Sequence, residues 1–304
     1  MRRSFKSVAG LIIILGMCLI GIIYRDNVLK FYSKYYDNNR KNITISNFEY
    51  STTNKYSSAS LTTDFIAKNK EQLTNIYYTI INSGNNRFTF YCDVDYKECL
   101  DDIEKISASE EELAFINNFV HPYNSFSSIR TLYASNGKVE LEIIKSYTSE
   151  QIIYLNQVLK EFIDKNISSN MTDREKIKII HDYIISNTKY DFTSNLSSEI
   201  NHYNSNIAYG VFKNKKGICS GYTDAMALFL YELGIENYKI SNDDHIWNYV
   251  ILDGIGYHLD LTWDDPILET GEEKIEYFYF LIDDNILKIL SKEDHYYDKT
   301  LYGI

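Results

Sequence analysis

Apolar residues recur at helical spacing in some segments of the chain and alternate with polar residues in others. Helical spacing runs through "KEQLTNIYYTIINSG", "SEQIIYLNQVLKEFIDKN" and "MTDREKIKIIHDYIISNTKYD", where Thr172 and Glu175 form a predicted capping box. Alternation runs through "RFTFYCD" and "TLYASNGKVELEII", where Asn136-Gly137 favours a hairpin turn. The pattern predicts an α+β protein, and no internal repeat is visible.

An uncharged apolar run fills residues 8–24, directly after Arg2, Arg3 and Lys6. Its length is at the lower end of the ~17 to 25 residues that span a bilayer. No small-x-small cleavage site follows, which favours an uncleaved anchor over a signal peptide. Lys and Arg lie on both sides, but the short head predicts residues 1–7 in the cytoplasm and the body outside, on the cell-wall side.

The rest of the chain divides into three predicted regions. Residues 25–58 are rich in Asn, Lys, Ser, Thr and Tyr and resemble a spacer. Residues 59–148 have the mixed pattern of a small α+β module, and in residues 149–304 the helices precede the strands. Cys92 and Cys99 lie close together in this small module, and both a disulfide and a pair of buried thiols fit their spacing.

The stretch "KGICSGYTDAMALFLYELGI" places Cys219 in the first turn of a predicted helix that ends at Gly234. One face of that helix is apolar and carries Tyr222, Ala225, Met226, Phe229 and Leu233. Unpaired backbone N–H groups and the helix dipole favour a thiolate at its start. A reactive thiol and an inert buried cysteine both fit this stretch on its own.

The stretch "HIWNYVILDGIGYHLDLTWDDP" predicts two strands around an Asp253-Gly254 turn. With that turn, Trp247 faces Asp260, and His245 lies diagonal to Asp260 on the same face. That face carries His245, Trp247, Asp260 and Thr262, and the opposite, core-forming face carries Ile246, Val250, Leu252, Leu259 and Leu261. The two tryptophans of this hairpin fit either cleft walls or core positions.

Cys219, His245 and Asp260 together have the chemistry of a thiol nucleophile, its base and the carboxylate that orients the base. Backbone N–H groups at the helix start could bind the oxyanion. "GICSGY", "HIWNYV" and "YHLDLTWDDP" resemble the three motifs of the transglutaminase-like superfamily, in its bacterial extracellular branch, over residues 165–300. The resemblance implies a papain-like α+β core in which these three residues are the catalytic triad.

Other polar residues near the motifs have two interpretations each. Tyr209 could donate a hydrogen bond to the oxyanion, as an aromatic or amide side chain often does in the relatives, or be a core tyrosine. His181 fits a packed or capping histidine better than a second base, and Asp264 and Asp265 fit a turn better than a calcium loop. Cys92 and Cys99 lack zinc spacing, and we expect no metal or cofactor.

The net charge of −11 argues against nucleic-acid binding. We therefore expect a membrane-anchored, extracellular cysteine enzyme that acts on a peptide or amide bond in a protein, peptide or cell-wall peptide. Members of the superfamily include cross-linkers, peptidases, amidases and inactive domains. No apolar segment suggests an amine channel, so hydrolysis is favoured over cross-linking. The alternative is a non-catalytic surface binding or assembly module.

Overall fold

The computed structural model describes residues 24, 25, 27, 43–45, 48–52, 59–133, 137–192, 203–266, 274–291 and 293–304. The predicted anchor lies outside these residues except for Tyr24, and so does most of the predicted spacer. Among the described residues, none of the helices combines the length and apolar character that a membrane crossing requires. The fold is α+β, as the apolar pattern predicts.

The first part of the described chain packs helices against one face of a four-stranded sheet with the order β1-β2-β4-β3. Strand β1 runs parallel to β2, and the other neighbours are antiparallel. Its elements are β1 (Ile66–Ala67), α1 (Lys70–Asn82), β2 (Arg87–Cys92), α2 (Cys99–Ala108), α3 (Glu110–Phe119), β3 (Phe126–Tyr133) and β4 (Lys138–Lys145).

The second part begins with helices and continues into an antiparallel sheet with the order β7-β8-β9. Its elements are α4 (Ser149–Asn166), α5 (Asp173–Ser186), β5 (Lys189–Tyr190), β6 (Lys216–Gly217), α6 (Cys219–Glu232), β7 (Asn237–Ser241), β8 (Ile246–Leu252), β9 (Ile255–Leu259), α7 (Asp284–Leu290) and α8 (Lys299–Tyr302). A five-residue π-helix, Gly210–Asn214, precedes β6. Helices α4, α5 and α6 precede the sheet β7-β8-β9, as predicted, whereas the short strands β5 and β6 precede α6 and the helices α7 and α8 follow the sheet.

Local sequence chemistry sets several of these boundaries. Thr172 and Glu175 form the predicted capping box at the start of α5. Strands β3 and β4 form the predicted hairpin, although residues 134–136 of its turn lie outside the described part of the chain. Cys92 and Cys99 form a disulfide that joins the end of β2 to the start of α2, which decides between the two interpretations of that pair.

The sheet β7-β8-β9 is buried on both faces. Val250, Leu252 and Leu259 pack in one apolar core with α6, as predicted. On the opposite face, Trp247 and Tyr249 belong to a second core, which continues into α1, α3 and the sheet of the first part. The hairpin face that carries the polar motif residues is therefore not an open surface, because Trp247 and Tyr249 are buried in this second core.

Direct contacts hold α3 against β7, the strand at one edge of this sheet. The rings of Phe119 and Tyr238 stack with centroids 5.2 Å apart. The side-chain amide of Asn118 is buried and donates to Ser241 Oγ at 2.7 Å and to the Tyr302 hydroxyl at 3.1 Å. The module predicted at residues 59–148 thus shares a core with the domain predicted at residues 149–304.

Candidate active site

Helix α6 begins at Cys219, as predicted, and its start is fixed by a close backbone approach. The Ile218 N–H donates to the Ser205 carbonyl at 2.9 Å, and Ser220 Oγ donates to the Asn206 carbonyl at 2.9 Å. A Cβ at Gly221 would lie 2.2 Å from the Ser205 oxygen, so only glycine fits there. Gly221, two residues after the cysteine of the motif, therefore allows residues 204–207 to pack against the first turn of α6.

A second set of contacts fixes Cys219 relative to β8. Thr223 Oγ1 lies 2.8 Å from the Cys219 carbonyl and 3.0 Å from the Ile246 carbonyl. The Asn248 amide donates to the Thr223 carbonyl at 3.0 Å. These hydrogen bonds join the first turn of α6 to the strand that follows His245, so they fix the position of Cys219 relative to the histidine.

The predicted hairpin register brings His245 and Asp260 together. Asp253 and Gly254 both have positive φ, 53° and 78°, as a type I′ turn requires, and Leu252 pairs with Ile255. His245 Nε2 lies 2.5 Å from Asp260 Oδ2. Cys219 lines the same cavity as His245 and interacts electrostatically with its ring, so the imidazole has the thiol and the carboxylate as neighbours.

The electrostatics of this group favour a charged histidine. Burial disfavours the imidazolium, but the Asp260 charge and the hydrogen bonds from Asp260 and Cys219 outweigh it and raise the pKa of His245 to about 10. Burial likewise opposes ionisation of Asp260, yet His245 and His295 hold the pKa of that carboxyl well below its usual range. At neutral pH the arrangement holds an imidazolium between a carboxylate and the sulfur, as a thiol nucleophile needs.

His295 is a further residue of this site that the sequence analysis does not find. Its Nε2 lies 2.8 Å from Asp260 Oδ2, the oxygen that His245 also contacts. The other oxygen, Oδ1, accepts from the backbone N–H groups of Thr262 at 2.9 Å and Trp263 at 3.3 Å. Nothing in "KEDHYYD" marks this histidine in advance, because no turn or register relates it to the hairpin.

Among the described residues, His245, Asp260 and His295 are the one group whose ligand atoms could hold a metal, all within 4.8 Å of one another. The two nitrogens lie 2.5 and 2.8 Å from the same carboxylate oxygen. Those are lengths of direct charge-assisted hydrogen bonds. Hydrogen bonding therefore accounts for the cluster without an ion.

Trp247 packs against the ring of His245. Its indole stacks on the His245 ring with centroids 5.6 Å apart and an interplanar angle of 20°. The indole N–H donates to His258 Nδ1 at 3.0 Å, and His258 Nε2 contacts Asp284 at 3.0 Å. Trp247 is fully buried, whereas Trp263 is 39% exposed, so the first is a core residue and the second is open to solvent.

The tyrosine predicted as an oxyanion donor, Tyr209, packs edge-on against Tyr154 with ring centroids 5.5 Å apart. It does not line the cavity at Cys219 within the part of the chain that the structure describes. A second tyrosine, Tyr190, lies near the triad: burial raises its pKa, and the charges of Cys219 and Asp260 add to the effect. The role of Tyr209 stays a prediction.

The other residues singled out in the sequence have structural partners. His181 is fully buried, with Nε2 3.2 Å from Asp264 and Nδ1 3.1 Å from Asp182, so it is a packed histidine as expected. Asp264 and Asp265 lie in the predicted turn after β9. Asp265 accepts a hydrogen bond of 2.6 Å from the Tyr222 hydroxyl, which joins that turn to α6.

A cavity of about 360 Å³ opens at Cys219 and His245. One wall comes from the first part of the chain, through Ala114, Asn117, Asn118, Ser125 and Ser146. Lys239 and Asp224 also line it and form a buried ion pair of 2.9 Å, and the exposed Asp243 and Asp244 border it beside His245. Most of the residues that line the cavity thus have polar or charged side chains.

Residues 160–259 match the family model of the transglutaminase-like superfamily. The match contains Cys219 and His245 and ends one residue before Asp260. The resemblance seen in the three motifs is therefore confirmed at the level of the superfamily.

Among solved structures, one described as a crystal structure of a TGase aligns at 16% identity with a TM-score of 0.33. The alignment covers 45% of this chain and 44% of that one, so the two chains share less than half of their lengths. No curated protein matches the sequence.

Proposed function

We propose that this protein is a thiol-dependent acyl-transfer enzyme in which Cys219 attacks a peptide or amide carbonyl. The observation that carries the proposal is that Cys219 and His245 line one cavity while His245 forms a 2.5 Å hydrogen bond with Asp260. In this mechanism His245 accepts the thiol proton and later returns it to the leaving amine. Asp260 stays ionised and fixes the ring.

The start of α6 supports the same mechanism. Residue Ile218 precedes the helix and its side chain forms no capping hydrogen bond. The first N–H groups of an α-helix have no acceptor within the helix. Next to a thiolate at Cys219, those groups can bind the oxyanion of the tetrahedral intermediate.

We further propose that hydrolysis outcompetes transfer to an amine. Water and an amine both attack the thioester at Cys219, so a dedicated transferase must position the amine and shield the thioester from water. The cavity wall consists mainly of Asn, Ser, Asp and Lys side chains, and the fully buried Trp247 does not form an apolar channel. A peptidase or amidase activity is therefore favoured over cross-linking.

An incubation of the full-length protein with a mixed peptide library and an excess of cadaverine tests both points. Product masses distinguish the free acid from the amine adduct, and Cys219→Ala is the control. We expect free acids that Cys219→Ala does not form. A dominant adduct would contradict the preference for hydrolysis, and products that persist in a folded Cys219→Ala protein would contradict the thiol mechanism.

We propose that residues 8–24 anchor the protein in a membrane with the catalytic domain on the cell-wall side. The support is the uncharged apolar run and the absence of a cleavage site after it. Substrates there would be proteins, peptides or cell-wall peptides. Protease added to wall-stripped cells should remove the body of the chain, whereas full protection would contradict this orientation.

The alternative is a binding or assembly module in which the transglutaminase-like domain is a scaffold. The first part of the chain supports it to some degree, because it lines the cavity and could recognise a partner there. A scaffold has no need for a charged histidine beside the thiol. The enzyme and the scaffold therefore differ in whether the reactivity of Cys219 depends on His245.

A further inference from the structure

His295 contacts the carboxylate of Asp260. Its Nε2 lies 2.8 Å from Asp260 Oδ2, and its side chain is fully buried. The ring stacks on Tyr279 at 4.9 Å with an interplanar angle of 17°, and Trp247 and Trp263 meet it edge-on, each at 4.8 Å. Aromatic rings on three sides hold the plane of the imidazole, and Nε2 points at the carboxylate.

The second nitrogen of His295 identifies its protonation state. Nδ1 is buried and has no hydrogen-bond partner among the described residues. An imidazolium would bury a second N–H donor there without an acceptor, which is costly. The favoured form is therefore the neutral ring with its one proton on Nε2, donated to Asp260.

We propose that His295 is a positioning residue of the catalytic group: by donating to Asp260 Oδ2, it shares the carboxylate oxygen with His245 and limits how strongly Asp260 holds the His245 proton. The proposal rests on the proposed function, since it assigns the role that His295 has in the thiol mechanism. A carboxylate that accepts an added hydrogen bond is a weaker base, and its attraction for a neighbouring imidazolium falls accordingly.

The benefit of this arrangement follows from the chemistry of His245. The histidine must be charged while the thiolate attacks, yet it must give up its proton to the leaving amine. A buried carboxylate whose charge acted on His245 alone would hold that proton too firmly. His295 leaves Asp260 ionised and oriented while reducing its pull on the proton.

Several charged and titratable groups surround His295 and contribute to its environment. The region of the hairpin contributes His245, His258 and Asp260, and the loop before α7 contributes Tyr279. Asp284 lies in α7, Asp294 lies between α7 and α8, and Lys299 lies in α8. Asp260 is the one of these that His295 contacts by a hydrogen bond. The effect of His295 on His245 is thus expected to pass through that carboxylate.

The matched variants are His295→Gln and His295→Asn. Both replace the ring by an amide, but a glutamine amide reaches the place of Nε2, whereas an asparagine amide reaches only the place of Nδ1. The measurement is the pH titration of His245 by 15N NMR in the full-length protein labelled at histidine. A His245→Asn spectrum identifies the signal among the six histidines of the chain.

We expect the titration midpoint of His245 to rise by about one pH unit in His295→Asn, because Asp260 loses one charge-assisted hydrogen bond. In His295→Gln the midpoint should stay close to that of the wild type. His295→Phe, which keeps an aromatic ring without a donor, should repeat the Asn result and replaces it if His295→Asn does not fold.

Equal midpoints in the donor-free variants and the wild type would overturn the proposal. So would the same shift in the Asn and Gln variants, since that would indicate only the loss of a packed ring. The titration needs neither substrate nor turnover, so this outcome is independent of whether Cys219 proves to be a nucleophile.

Discussion

Asp260 connects the residues of the site through the hydrogen bonds that it accepts. Its two carboxylate oxygens accept from His245, His295 and the backbone N–H groups of Thr262 and Trp263. A carboxylate has about four lone-pair positions, so all of them are in use. This arrangement explains both why Asp260 stays ionised while it is buried and why its orientation is fixed.

Replacement of Asp260 by Asn should keep the fold and lower the acyl-transfer rate by at least ~100-fold, because an amide cannot stabilise the His245 imidazolium and favours the wrong tautomer. The rate is measured on the peptides that the wild type cleaves. Asp253→Asn is the matched control, since asparagine tolerates the left-handed conformation of that turn residue. Equal rates in Asp260→Asn and the wild type would reduce Asp260 to a strand residue.

The charged His245 should also make stability depend on pH. Its pKa is raised in the folded protein to about 10 from 6.5. A raised pKa contributes stability that is fully present below about pH 6.5 and is lost as the pH rises through about 10. The free energy of unfolding of the wild type should therefore exceed that of His245→Asn by on the order of a few kcal/mol at pH 6.

That difference should shrink steadily between about pH 6.5 and 10. Comparison with His245→Asn removes the contribution of the tyrosines and lysines that titrate in the same range. A difference that does not change with pH would contradict a charged histidine at neutral pH.

At this scale the sequence identifies Cys219, His245 and Asp260 because each lies next to a local structure that can be predicted. The thiol lies at a helix start, and the other two lie next to the ends of β8 and β9, whose register follows from one turn. His295 has no such relation: it reaches Asp260 from the C-terminal region through contacts with Trp247, Trp263 and Tyr279. Tertiary packing alone places it there.

At the scale of elements, the start of α6 is the feature that positions Cys219. Gly221 lets the Ser205 backbone approach so closely that an added Cβ would lie 2.2 Å from its carbonyl oxygen. Gly221→Ala must therefore displace either the helix or the 204–207 segment. We expect a lower unfolding temperature and slower alkylation of Cys219 at neutral pH.

Gly234→Ala at the other end of α6 is the control for Gly221→Ala. Gly234 has a φ of 67° and an added Cβ would meet nothing within 4 Å. This variant should cost about 1 kcal/mol of stability and leave the reactivity of Cys219 unchanged. If both variants leave alkylation unchanged, the close approach at Gly221 does not position the thiol.

The hairpin shows which features of an element can be predicted from the sequence and which cannot. Its turn, its register and its core-facing residues follow from alternation and from Asp253-Gly254. The packing on its other face does not follow, because Trp247 contacts His295 and Tyr297 near the C-terminus, and Trp247 and Tyr249 belong to a core shared with the first part of the chain. Alternation in the sequence distinguishes two faces of a strand but does not reveal a second core.

At the scale of the whole molecule, that second core joins the two predicted domains. It extends from α1 and the sheet of the first part to Trp247, Tyr249 and Tyr302. We therefore expect one cooperative unfolding transition for the described region. The disulfide Cys92–Cys99, which lies far from the triad in sequence, should affect the stability of the catalytic domain as well.

The double variant Cys92→Ser and Cys99→Ser should lower the free energy of unfolding by about 2 kcal/mol, since the disulfide closes a short loop. Calorimetry should record one transition at a lower temperature, with alkylation of Cys219 at 25 °C unchanged. Cys219→Ser, which keeps the disulfide, is the control and should unfold close to the wild type. Two separate transitions would contradict a common core.

The proposed activation of Cys219 by His245 and Asp260 is tested most directly by the rate at which iodoacetamide alkylates Cys219 at pH 6. Peptide mass spectrometry of the full-length protein distinguishes Cys219 from Cys18. An ordinary cysteine is less than about 1% thiolate at this pH. We predict alkylation at least ~10-fold faster in the wild type than in His245→Asn, with both proteins folded. Equal rates would contradict the account.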